Sequence, residues 1–175
     1  MNFPVSVTSE YTKKNLLEMH TAVHRRARKR YRLLSLVGVT LFLVGCVLLG
    51  LIEGAGALIF AGGIWFVLCM IFANQQARRT TRKTVKSNQK YYGGAATTTI
   101  KFYTTMFMAK NETTGAELRA QYAEVSRLIG TRNLMILVLE DGRAMMADRN
   151  TVDPTLAADL WEHLRENCTE ATVLV

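Results

Sequence analysis

Two stretches without a single charged side chain constrain this chain more than anything else in it. Residues 33–52 are uncharged and fourteen of these twenty are Leu, Ile, Val or Phe, and residues 57–73 form a second uncharged run of 17. Between residues 33 and 73 the one acidic or basic side chain is Glu53. At a rise of about 1.5 Å per residue the first run reaches about 30 Å as a helix, the thickness of a bilayer's hydrocarbon core. Its Leu, Ile, Val and Phe residues contribute on the order of −6 kcal/mol to insertion. The second run, with Trp65 in its middle and Asn74-Gln75-Gln76 closing it, sits near the short limit of about 17 residues. Together they predict a transmembrane helical hairpin over 33–73, turning at Glu53-Gly54-Ala55-Gly56, where glycines allow the dihedrals of a tight connection.

The net charge of +8 divides unevenly around that block. Residues 1–32 hold eight bases and two acids, residues 74–90 six bases and no acid, and residues 91–175 eight bases against eleven acids. Bases crowd the outer ends of the two runs and are absent from the turn, so the positive-inside rule predicts a multi-pass protein of the cell membrane with both termini cytoplasmic. Arg25, Arg26, Arg28, Lys29, Arg30 and Arg32 on one side, and Arg78, Arg79, Arg82 and Lys83 on the other, are the candidate membrane-surface residues, each worth about 1 kcal/mol against anionic inner-leaflet lipids. A secretory signal peptide fits less well, because the first run is too long, its basic leader is 32 residues and a second run follows at once. Nucleic acid is not expected as a partner, since bases beside a bilayer already have one.

Within the hairpin Cys46 with Gly50 and Ala57 with Ala61 form small-xxx-small pairs that let helix backbones approach, and they are the candidate packing residues. Cys46, Cys69 and Cys168 offer no C-x-x-C spacing and read as small apolar fillers. His20 and His24 stand four apart, but no nearby acid or Cys completes a metal set.

The chain accordingly divides into a basic amphipathic arm (1–32), the hairpin (33–52 and 57–73), a basic linker (74–94) and a soluble domain (95–175). In the last, residues 99–108 put Ile100, Phe102, Met106 and Met108 on one parity, a strand pattern, and residues 117–125 read likewise. The run Leu134-Met135-Ile136-Leu137-Val138-Leu139 reads as a buried strand, joined through Asp141-Gly142 to Ala144-Met145-Met146-Ala147. Asp153 caps a helix over 154–167 that opens with Pro154 and carries Leu156, Ala157, Leu160, Trp161 and Leu164 on one face. Trp161 is expected in the core. An antiparallel β meander closed by one amphipathic helix follows.

This organisation, with Tyr122-Ala123-Glu124-Val125, the strand at 134–139, the DG turn and Leu160-Trp161 in the final helix, resembles the YcxB-like membrane proteins of bacteria. The resemblance implies a C-terminal domain similar to pleckstrin-homology folds and no established reaction. Ala147-Asp148-Arg149 stands where many relatives carry a Pro-Lys-Arg-like step, which argues against a phosphate-binding rim there.

No nucleophile with a base, no carboxylate pair and no phosphate cradle is visible, and Gly93-Gly94 lacks the Lys of a phosphate loop. Neither a catalytic residue nor a cofactor is expected. The sequence therefore predicts a membrane-anchored interaction or regulatory module whose C-terminal domain docks a protein partner or a second copy. The alternative is a subunit of a small oligomeric pore or transporter built from hairpins.

Overall fold

The computed structural model describes residues 3–48 and 55–174, the side chains at 26–28, 43, 46–48, 55–60, 70, 72–74 and 76 excepted. The chain forms two compact units, one of residues 1–23 with 81–175 and one of residues 24–80.

The first unit is a pair of four-stranded sheets. Strand β1 (Val5–Glu10) alternates buried Val5, Val7 and Ser9 with exposed neighbours, so one face meets a core and the other meets solvent. It pairs antiparallel with β2 (Thr97–Phe102), then come β3 (Met106–Asn111) and β4 (Glu117–Gln121) in the order β1-β2-β3-β4. The register sets Val7 opposite Ile100, Phe102 opposite Phe107 and Phe107 opposite Ala120, a row of apolar cross-strand pairs on the inner face. The basic amphipathic arm expected over residues 1–32 thus begins with an edge strand. Residues 99–108, read as one strand, are two strands joined by a turn, and the turn reverses the parity so that Phe107, not Met106 or Met108, is buried.

The second sheet runs β7 (Ala144–Asp148), β6 (Leu134–Leu139), β5 (Val125–Gly130), β8 (Thr172–Leu174), with β8 parallel to β5 and the other pairs antiparallel. Every residue of β6 is buried. Its two faces feed different cores: Met135, Leu137 and Leu139 join the inner faces of both sheets, while Leu134, Ile136 and Val138 pack with Leu16 and Met19 of helix α1 (Lys13–Val23). The uninterrupted apolar run follows from that double burial, since a strand covered on both faces has no solvent side to alternate with. Helix α4 (Pro154–Asn167) sets Leu160 and Leu164 into the first core, and the Asp153 carboxylate accepts the Thr155 amide hydrogen at its start.

The second unit is a helix pair. Helix α2 (Arg25–Leu48) and helix α3 (Ala55–Tyr92), whose last turns belong to the first unit, meet where a side chain on Gly62 would lie 3.8 Å from Val39. Among the described residues no helix is long and apolar enough to cross a membrane. That finding overturns the transmembrane hairpin, the multi-pass cell-membrane placement and the sidedness derived from it. Each described helix joins an apolar stretch to a basic one without a break. Helix α2 opens on the basic run at 25–32, and α3 carries Arg78, Arg79, Arg82 and Lys83 after its apolar turns. The turn at 53–54 and Gly50 lie outside the described residues. The chain is a sheet-rich α+β protein whose helix pair is inserted between strands β1 and β2.

Candidate interaction surfaces

The helix pair carries its apolar side chains outward. Leu33, Leu34, Leu41 and Trp65 are each more than 60% exposed, and Leu36, Phe42, Val44, Ile64 and Val67 are also open. A monomer rarely leaves a contiguous patch of this kind uncovered, and large exposed apolar patches mark contact surfaces. Between the helices runs an open groove of about 560 Å³ lined by Leu34, Gly38, Val39, Phe42, Gly62 and Trp65 among others.

Of the basic residues singled out from the sequence, Arg25, Lys29, Arg30 and Arg32 are exposed on the first two turns of α2, and Arg78, Arg79, Arg82 and Lys83 are exposed along α3. Arg79 donates to the Gln75 side-chain oxygen at 3.2 Å. The side chains of Arg26 and Arg28 lie outside the described residues. So do those of Cys46 and Ala57, and Gly50 is outside altogether; of the four expected packing residues, Ala61 alone can be placed, lining the groove beside Gly62. Gly62, one of the small residues that, with Gly38 and Gly63, add small faces to these helices, stands at the described helix contact.

In the first unit a second surface comes together that sequence reading missed. The Arg149 guanidinium lies over the Trp161 ring, 4.9 Å from its centroid. Gly130, at the end of β5, makes room for both: a Cβ there would stand 3.0 Å from Trp161 Cη2 and 3.1 Å from Arg149 Nη2. Arg149 follows β7, Trp161 sits on α4 and Gly130 ends β5, so three elements of the sandwich build one stack. Trp161 is half-buried, its inner edge against the core and its outer edge in an open groove of about 620 Å³ lined also by Asn150, Val152, Ala157 and Asp159. The Arg149 Nε is buried and makes no hydrogen bond within the protein, and burial pulls the guanidinium below its ordinary pKa. Three ion pairs form among the described residues, Arg119 with Glu117, Arg143 with Asp141 and Arg165 with Glu162, and Arg149 is in none of them. The sequence signal available was the single glycine ending a strand pattern, which marks a close approach.

Other polar groups tie elements of the first unit together. Glu18 of α1 receives hydrogen bonds from the Thr131 hydroxyl at 2.6 Å and the Asn133 side-chain amide at 2.9 Å. Burial raises its carboxyl, but these bonds, the Asn133 backbone and Lys14 outweigh it and hold the group below its usual range. Cys168 is buried in the first core, and burial pushes its thiol up to about 11, far from a reactive thiolate. Tyr122 donates to the Tyr103 carbonyl at 2.7 Å, and burial raises its hydroxyl. Among the described residues no group of three or more His, Cys, Asp or Glu side chains could hold a metal ion. No protein-family model matches the chain, and no curated protein matches it.

Proposed function

We propose that the chain is a non-catalytic interaction module that binds an anionic lipid surface through its helix pair and offers the sheet unit to a protein partner. The observation that carries this reading is the outward-facing apolar set on α2 and α3 with exposed bases on the same helices. Burying one Leu or Phe side chain is worth about 1.5–3 kcal/mol, whereas one base near an anionic surface is worth about 1 kcal/mol. The apolar side chains therefore set the affinity and the bases select the charge of the surface. Such binding needs no crossing of the bilayer, because amphipathic helices enter the boundary between headgroups and acyl chains from one side. The resemblance to YcxB-like proteins rests on the sequence alone and adds no reaction.

Co-sedimentation of the full chain with extruded vesicles tests the reading. Vesicles of phosphatidylcholine with phosphatidylglycerol are expected to carry the protein down, and pure phosphatidylcholine to carry down less. Protein that stays in the supernatant with both vesicle types, as a discrete oligomer by analytical ultracentrifugation, would show instead that a second copy covers the apolar face.

A further inference from the structure

We propose that the groove beside Arg149 and Trp161 is a docking site for an acidic peptide segment of a partner protein, one carboxylate of which takes the Arg149 guanidinium. This deepens the reading of the sheet unit as the partner-binding part, and it is independent of lipid.

The guanidinium is held in place before any partner arrives. It rests on the Trp161 ring at 4.9 Å, and the missing side chain of Gly130 leaves the space that both groups occupy. Its Nε is buried and makes no hydrogen bond in the protein, and the guanidinium, which lines the groove, is in none of the ion pairs among the described residues. A planar guanidinium presents its donors as a fork that matches a carboxylate's two oxygens, so a carboxylate is the complementary occupant.

The other groups of the groove narrow the choice. Glu162 lines the same groove and is paired with Arg165 at 3.0 Å rather than with Arg149. Asp159 is exposed at the same groove, and its charge opposes a compact dianion such as phosphate more than a single carboxylate set in a longer segment. Val152, Ala157 and the Trp161 edge supply apolar contact for the flanking residues of that segment. The groove volume, about 620 Å³, falls within the range of about 300–1,000 Å³ found for binding pockets.

Selection from a library of blocked hexapeptides on the immobilised full-length chain tests the proposal, with Glu and Gln offered equally at every position. The wild-type chain is expected to enrich Glu over Gln at least tenfold at one position, R149Q to return the ratio to one, and R149K, which keeps the charge but not the fork, to fall between. A cooperative melt of R149Q establishes that it is folded; should it fail to fold, the comparison rests on R149K, where an undiminished Glu preference would overturn the proposal. It is also overturned if the wild type shows no Glu preference, if the preference survives in R149Q, or if millimolar inorganic phosphate abolishes it, which would make the groove a simple anion site. The selection contains no vesicles, so its failure and a failure of lipid binding are separate results.

Discussion

At the scale of single residues, the polar contacts that matter are those that tie distant parts of the first unit together. Glu18 is the clearest. Its carboxylate fastens α1 to the β5–β6 connection through Thr131 and Asn133. Because its folded pKa lies below the unfolded value, the stabilisation is complete above the ordinary carboxyl range around pH 4 and is lost as pH falls through the folded pKa. Glu18→Gln is expected to lower stability by about 1 kcal/mol at neutral pH, the modest figure reflecting solvent screening, and to flatten the acid limb of a melting-temperature profile. At Gly130 the prediction is geometric. Gly130→Ala places a methyl group within about 3 Å of both Trp161 and Arg149 and is expected to separate the stack, read as a shift in Trp161 fluorescence in a Trp65→Phe background. None of this was legible beforehand: Arg149, Gly130 and Trp161 are separated in sequence, and Trp161 read as an interior residue because half of it is one.

At the scale of elements, legibility followed how completely local pattern decides the outcome. The run at 134–139, the DG turn with Gly142 at φ 86° and the helix opening at Asp153-Pro154 could all be seen in the sequence, because each depends on neighbours in the chain. Strand β1 could not, because its partner β2 lies some ninety residues on and nothing local in residues 5–10 announces the pairing. The reversal at Tyr103–Thr105 was missed because residues on either side of a tight turn preserve an apparent period of two. Double burial of β6 makes it the most sensitive element. Val138→Ala, on the α1 side, and Leu137→Ala, on the inner side, are each expected to destabilise, the latter by about 2–5 kcal/mol, measured by urea denaturation. Leu16→Ala, across the second core from Val138, is expected to show a non-additive effect with Val138→Ala in a double-mutant cycle, since both side chains belong to one cluster.

At the scale of the whole chain, hydropathy alone misled. Apolar length suggested two bilayer spans, but no described helix is long and apolar enough for one, and each joins its apolar turns to basic ones without a break. What survives is a chemical division between an apolar and basic helix pair and a sheet unit whose acids and bases nearly balance. Replacing Arg78, Arg79, Arg82 and Lys83 together by Gln is expected to weaken binding to anionic vesicles by on the order of 4 kcal/mol at low salt, and raising the salt to 1 M to shrink the difference between variant and wild type. If the quadruple variant bound as tightly as the wild type, the bases would have no part in choosing the surface.

The place of β1 at the margin of its sheet has a practical consequence for anyone handling this protein. Clipping off the first ten residues would strip β2 of its neighbour and bare a row of amide and carbonyl groups from Thr97 to Phe102. Such a truncation should not merely soften the fold: it should make molecules recruit strands from one another, and a synthetic copy of the missing decapeptide, added in excess, should keep them apart.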